Sequence, residues 1–232
     1  MELLDGLATT RAIRRYRPDP IPDEDLAKIF FSASRAPSGS NRQGFRFLVL
    51  RDGERALQAR ALLAAGAREV WEAKRVRDGY DAGTGAVANS PKARMAATME
   101  HFTTHFHEAP VIVLATLWCH RQPDLELGGA VWPAVQNMLL AARALGYGGV
   151  ITGWHGPKEA ELRVVLGMPD DPRLQIVGTI PLGVPAGSHG PVRRRPLQEV
   201  VYEDGWEDAA AWAQDPPGTR FTSPGPPVPT RI

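Results

Sequence analysis

Four stretches of the chain carry side chains whose types and spacing can do chemistry. Arg11-Ala12-Ile13-Arg14-Arg15 crowds arginines together just ahead of the helix-breaking Pro18, Pro20 and Pro22. Clustered guanidiniums make an anion cradle, because each can donate two parallel hydrogen bonds to a phosphate or carboxylate. A solvated basic turn is the plainer reading of the same residues. Ala36-Pro37-Ser38-Gly39-Ser40-Asn41-Arg42-Gln43 offers hydroxyls, amides and backbone N–H groups at a helix-to-strand junction. Such groups suit the edge of a polar heterocycle or a ribityl chain, although an ordinary loop has the same composition. Gly148-Gly149-Val150-Ile151-Thr152-Gly153-Trp154 puts glycine where a strand leaves the core, which lets the backbone approach a flat ligand. It is neither a dinucleotide fingerprint nor a phosphate loop, since the spacing and the lysine are missing. Arg193-Arg194-Arg195-Pro196-Leu197 is a second basic cluster, able to converge with the first on one phosphate or to be a surface turn.

Other signals point less far. His101, His105 and His107 form H-x3-H-x-H, and a helix puts the first two on one face at metal-ligand spacing. Glu100 and Glu108 do not complete a convincing ligand set, so the histidines read as surface or site-rim residues; a substrate contact by one of them is the weaker alternative. Cys119 follows an apolar strand and reads as a buried structural thiol rather than a nucleophile. Ser38 lies in no nucleophile elbow. Trp71, Trp118 and Trp132 read as core or interface residues, while the neighbours of Trp154 leave it evenly balanced between core and ligand. Neither a side-chain nucleophile nor a metal site is expected.

These stretches need elements to position them. A short helix over 2–9 precedes the basic segment. Asp23 can cap a helix through Ala33, with Leu26, Ile29 and Phe30 at spacings of three and four, ended by Pro37 and Gly39. FRFLVL (45–50) reads as a buried strand, and Asp52-Gly53 turns the chain into a helix over 54–75. Residues 77–91 have no period and read as a mobile loop. A helix over 92–106, a strand over 109–117 and a helix from Gly128 to Leu145 follow. The last has an apolar stripe of Val131, Val135, Met138, Leu139 and Ala142, which makes it central to the fold. A short strand within 146–154, a helix over 158–166 and a strand over 174–183 complete the core. Prolines exclude helix and central strand from 215–232. Strands alternating loosely with helices point to α+β or α/β.

Composition narrows the function. The chain has 232 residues, 43% hydrophobic and 23% charged, with Lys+Arg 27 against Asp+Glu 26 and a net charge of +1. It is long enough to bury a core, and no global field draws it to nucleic acid or anionic lipid. One cysteine excludes a disulfide framework and a multi-cysteine metal site. No apolar run approaches a membrane span. The opening MELLDGLATTRAIRRYR lacks the order of a signal peptide, so a cytoplasmic protein is the expectation.

Taken in order, the four stretches resemble the FMN-dependent nitroreductase family. Its pattern is a basic R-S-x-R-x-F box, then A-P-S-x-x-N-x-Q, a late G-L-G-x-x-x-x-G and a basic R-x-P-L. Here these stand as Arg11-Ala12-Ile13-Arg14-Arg15-Tyr16, Ala36 to Gln43, Leu145-Gly146-Tyr147-Gly148 leading to Thr152-Gly153, and Arg194-Arg195-Pro196-Leu197. The resemblance spans about residues 5–201. It implies an α+β fold with a central, mainly antiparallel sheet flanked by helices, in an intertwined homodimer with two FMN sites at the interface. On this basis residues 1–204 form the catalytic domain, and 205–232 a Pro-rich extension anchored on the partner through Trp206 and Trp212.

By position, the resemblance implies that Arg11 and Arg194 hold the FMN phosphate, with Arg193 or Arg195 as substitutes if the register slips. Ala12 lies in the same box, where many members have Ser; Thr10 is placed to replace part of that hydroxyl. Arg14 lies near the flavin N1/O2 edge, where a cation stabilises the anionic reduced ring. Pro37, Ser38 and Asn41 come from the partner subunit. The Gly153 N–H meets flavin N5, with Thr152 and Trp154 beside it. Gly44-Phe45 replaces the frequent Pro-Trp. The implied activity is ping-pong transfer of two electrons from NADH or NADPH to a nitroaromatic or quinone, under a lid made by the 77–91 loop and the 92–106 helix. Alternatives on the same fold are a dehalogenase of iodotyrosine type, a deazaflavin-linked enzyme and a flavin-destroying enzyme. The first is disfavoured because Glu69 and Glu72 have no tyrosine four residues on. A non-catalytic FMN-binding or storage protein, or a basic interaction module, is the alternative from another class.

Overall fold

The computed structural model describes residues 1–123 and 128–216. The chain divides into two compact units, Ala12–Ser188 and Met1–Arg11 with the chain from His189.

The larger unit is built on a four-stranded antiparallel sheet of β1 (Phe45–Leu50), β2 (Val111–Trp118), β3 (Gly148–Gly149) and β4 (Leu174–Gly183), in the order β1-β2-β4-β3. β2 is central and buried along nearly its whole length. Its side chains alternate between two cores, as the two-residue period of a strand requires. Val111, Val113, Ala115 and Leu117 face α2 (Asp23–Ser34) and the helix Trp132–Ala144, meeting Ile29, Val135 and Met138. Ile112 and Leu114 face α3 (Glu54–Arg77) and α4 (Pro91–Thr104), meeting Leu63, Phe102, Phe106 and Trp154. Each fully buried aliphatic side chain contributes about 1.5–3 kcal/mol. The fold is therefore α+β, a sheet with helices on both faces, as expected.

The register between β2 and β4 shifts at Ala115/Thr116, where Ala115 pairs with Gly178 and Thr116 with Ile176. An extra residue in one strand reverses which side chains face which way. Ile180 and Leu182 accordingly pack in the first core and Ile176 in the second.

β1 and β4 match their sequence expectations, and α1 (Leu3–Thr9) lies where the first short helix was read. α2 starts with Pro22 rather than Asp23 at its cap; Asp23, Glu24 and Asp25 occupy the first turn, where negative charge suits the helix dipole. The helix expected from Gly128 begins only at Trp132 and is α5 (Trp132–Ala144). Gly128 is helical, but turns over 129–131 separate it from α5, and Pro133 cannot donate to a preceding carbonyl but fits a first turn. α4 opens with Ser90 accepting from the Ala93 N–H at 3.0 Å and Pro91 in its first turn. The connection 78–90 is irregular, a run of turns around a single 3-10 turn at Gly83–Gly85. α6 (Glu159–Leu166) ends at Gly167, whose φ of 62° no β-carbon opposes.

In the smaller unit the Tyr202 and Trp206 rings meet at 5.2 Å and the Trp212 indole donates to Glu203. Both tryptophans remain largely exposed, at 80% and 63%. The Pro-rich tail of the sequence reading falls beyond Pro216, outside the described residues, apart from its first positions. Among the described residues, no helix is long and apolar enough to cross a membrane.

Candidate functional site

The Ile13–Arg17 segment runs extended along the sheet, and its backbone is pinned at three points. Ile13 N–H donates to Gly149 C=O (3.0 Å), Arg17 N–H to Val184 C=O (2.8 Å) and Ala186 N–H to Arg15 C=O (3.0 Å). Ile13 is buried, and the Tyr16 hydroxyl donates back to Ile13 C=O at 2.6 Å. Burial raises the Tyr16 pKa against the opposing charge of Arg14, so the phenol stays neutral. Half-buried Arg14 is thereby held in place and lines a small cleft with Arg15, Tyr16, His101, His105 and Glu108.

The opposite wall is the end of α4. Arg60 on α3 fastens the turn that follows, donating to the carbonyls of His107 (2.6 Å), Ala109 (2.5 Å) and Arg51 (2.9 Å). The His101 and His105 rings stack at 4.2 Å, and His105 Nδ1 meets His101 C=O at 2.8 Å. His101 is half-buried, and His105 and His107 are exposed. Among the described residues, no cluster of three or more His, Cys, Asp or Glu could hold a metal. Cys119 is buried.

The Thr152–His155 segment is locked from below. Thr152 and Thr179 exchange backbone hydrogen bonds at 2.9 and 2.8 Å, and the Thr152 hydroxyl adds a third at 2.9 Å. His155 Nδ1 lies 3.2 Å from the Thr179 hydroxyl, and burial pushes its pKa below the usual histidine value. The Trp154 indole packs on Phe102 (4.5 Å) and Phe106 (4.8 Å), so that side chain belongs to the core and leaves only backbone to face a ligand. Gly66 of α3 permits the close approach: a β-carbon there would stand 2.3 Å from the Trp154 carbonyl oxygen. Gly153 itself is exposed, its N–H has no acceptor among the described residues, and nothing lies within 4 Å of where its β-carbon would be.

Pro37, Ser38 and Asn41 lie on a separate loop, which helps line a cavity of about 240 Å³ with Leu117, Trp118 and His120. Ser38 Oγ accepts the Gln43 N–H at 2.9 Å, and Asn41 Oδ1 accepts from the Gln43 side chain at 3.0 Å. Ser40, Asn41 and Gln43 hold positive φ angles of 51°, 52° and 48°. Such left-handed backbone costs free energy outside glycine and is concentrated at functional sites.

Arg11 and Arg194 both belong to the smaller unit. There the Val192 N–H donates to Ala8 C=O at 3.3 Å, laying the chain just before Arg194 alongside the chain just before Arg11. Both arginines are exposed. Arg195 is ion-paired to Glu199 at 2.9 Å, whereas Arg194, among the described residues, donates only to the carbonyl of Arg193. The Thr10 hydroxyl bonds back to Gly6 C=O at 2.6 Å. Sequence reasoning missed Gly66 and His155, which support Gly153 from behind, because their contacts join segments far apart in the chain.

Comparison with known proteins bears on the same stretches. The Nitroreductase family profile matches residues 7–184. An NADH dehydrogenase of Thermus thermophilus is 32% identical over 82% of this chain and 90% of its own length. An iodotyrosine deiodinase of Thermotoga neapolitana is 27% identical over 87% of this chain and 97% of its own. A provisionally assigned nitroreductase of Desulfovibrio desulfuricans, solved in complex with FMN, superposes with a TM-score of 0.63 at 31% identity, covering 89% of this chain and 98% of that one. The chain belongs to the nitroreductase family.

Proposed function

We propose that this chain is an FMN-dependent NAD(P)H oxidoreductase that reduces an electron-poor acceptor, a nitroaromatic or a quinone, by two electrons in a ping-pong exchange. The observation that carries this reading is the Gly153 amide, an exposed donor with no acceptor among the described residues and open space beside it. Thr179 and Gly66 fix the segment it sits on, so a flat ring laid there meets a rigid N–H and no side chain. When bound, FMN supplies the ring nitrogen that takes hydride from the nicotinamide and passes it to the acceptor. The chain's part is placement and charge. Gly153 donates its N–H toward that nitrogen, beside Thr152 and the backbone of Trp154. Arg14 sets a fixed cation at the pyrimidine edge, favouring the electron-rich ring.

Arg11 and Arg194 take the phosphate, with Arg193 as the substitute; Arg195 is less suited because Glu199 already pairs with it. Ala12 follows Arg11 without contributing a hydroxyl. Pro37, Ser38 and Asn41 serve the cofactor of a partner subunit, a role that fits a loop pre-set in an unusual backbone conformation. In the homodimer Trp206 and Trp212 are covered, residues 1–204 form the catalytic domain and 205–232 the extension. The 78–90 connection and α4 act as the lid. The deiodinase relative keeps dehalogenation as the rival reaction, against which stands the absence of a tyrosine four residues after Glu69 or Glu72.

One anaerobic experiment tests the reading. The purified, flavin-loaded protein loses its visible flavin band on addition of NADH or NADPH and regains it with a nitroaromatic or quinone. A protein that binds FMN but stays coloured with either nicotinamide is a carrier, and the enzymatic reading fails.

A further inference from the structure

We propose that the cleft between the Arg14–Tyr16 segment and the end of α4 recognises a carboxylate on the acceptor substrate, with Arg15 and His101 as its donors and the stacked His105 ring shaping the wall. That the anion belongs to an acceptor rests on the oxidoreductase reading; that the cleft takes an anion does not.

The cleft has a volume of about 40 Å³. On this measure about 10–15 Å³ is enough to hold one water, so the space admits one small polar group while the rest of a ligand lies outside. Its lining is chemically one-sided. Arg14 and Arg15 come from one wall, His101 and His105 from the other, and Glu108 is the single carboxylate. His101 Nδ1 is buried and has no hydrogen-bond partner among the described residues. A buried polar atom left unpaired costs free energy that an incoming partner recovers. The contact of His105 Nδ1 with His101 C=O puts the His105 proton on that nitrogen in the neutral ring. The two rings are parallel within 20°, which gives this wall a defined shape.

Charge decides when the site is strongest. Burial, then the charges of Arg15 and His105, push the His101 pKa below its ordinary value, while Glu108 opposes them. The remaining titratable groups around the cleft are Arg14 and Tyr16. On α3 the neighbouring Arg75 faces Glu100 at 3.7 Å, and Trp71 donates to the same carboxylate. His101 is therefore neutral near pH 7 in the absence of an anion. An oxyanion in the cleft reverses the local field and favours the imidazolium, so binding takes up a proton and tightens as pH falls. The wall of the cleft is joined to the Gly153 segment through the core: Phe102, the next residue after His101, packs on Trp154, the next residue after Gly153.

The test is calorimetric titration of the flavin-loaded protein with benzoate and with its uncharged counterpart benzamide. Each is run at about pH 6 and about pH 8, in two buffers of different ionisation enthalpy, so that the protons taken up are counted. Benzoate should bind at least about tenfold more tightly than benzamide, as expected when hydrogen bonds to a charged group are gained. It should bind more tightly at the lower pH and take up protons. His101→Gln should remove the proton uptake. Arg15→Gln, an exposed substitution that leaves folding intact, should erase most of the preference for benzoate. Equal affinity for the two ligands, no binding of either, or proton uptake that survives His101→Gln overturns the proposal. If benzoate behaves as stated while neither nicotinamide bleaches the flavin, the oxidoreductase reading fails and the anion site stands.

Discussion

Replacing Gly66 by Ala isolates the contact that holds the Gly153 segment down. Taken alone, Gly→Ala inside a helix is favourable by about 0.5–1 kcal/mol, because glycine loses more backbone freedom on folding. Here the added methyl would stand 2.3 Å from the Trp154 carbonyl oxygen, where ordinary contact begins at 3.4 Å. Something must therefore move by about 1.1 Å. The neighbouring atom is backbone, and the Trp154 indole behind it is wedged between Phe102 and Phe106, so the movement strains a packed region. Overpacking of this kind costs about 1–3 kcal/mol and outweighs the propensity gain, for a net loss of about 1–2 kcal/mol. The functional effect should be larger than the stability effect, since a displacement of about 1 Å at a reacting centre can cost about a hundredfold in rate. Urea denaturation gives the first quantity, and the rate of flavin reduction at saturating nicotinamide gives the second. A variant more stable than the parent by the propensity increment, with an unchanged reduction rate, would refute the idea that Gly66 positions Gly153.

Other expectations follow from the same geometry. Arg14→Ala should lower the flavin reduction potential by on the order of 30 mV, the two-electron equivalent of about 1.4 kcal/mol, and slow reduction by NAD(P)H; an unmoved potential in a redox titration removes Arg14 from that edge. Arg11→Ala and Arg194→Ala should each weaken FMN binding by about tenfold or more, the loss of a hydrogen bond to a charged group. Arg195→Ala should do less because Glu199 already engages that side chain, and equilibrium dialysis ranking Arg195 first would reverse the assignment. His155 gives a pH signature. Its folded pKa lies below its unfolded one, so the unfolded chain binds the proton first, and stability present at neutral pH declines as pH falls below about 6.5. His101 adds to the same trend. His155→Gln should flatten the fall in urea midpoint between about pH 7 and about pH 5, and an identical slope in the variant would assign the acid sensitivity elsewhere.

What the sequence makes legible follows from how local each signal is. β1 and β4 match residue for residue because apolar runs bounded by turns need no distant partner to be recognised. The start of α5 is misread because an apolar stripe reports the buried face of a helix and not its end; the end depends on the turn over 129–131 and the backbone of Pro133. The shift at Ala115/Thr116 leaves no periodic trace in β4, since Val177 is as apolar as its neighbours. The basic boxes are visible as composition, but the pairing of Arg195 with Glu199 becomes apparent only in three dimensions. The cleft joins Arg15 to His101 across most of a hundred residues, and no local pattern could have joined them.

Gly153 and Trp154 explain why such a site stays both rigid and open. Gly153 stands between the Thr152 bridge and a turn through Trp154 and His155 that the Gly156 N–H closes on Gly153 C=O (3.2 Å), so one residue can be committed to packing while its neighbour is left bare. Trp154 drives its indole between Phe102 and Phe106, and Thr152 ties the other side to Thr179. Gly153 lies between these anchors, with no side chain to occupy the space it faces. Any larger residue there would keep the anchors and fill the opening. A Gly153→Val chain would therefore fold with near-parental stability yet lose close approach of a flat ligand, which separates the role of this position from that of Gly66, where stability and function fall together.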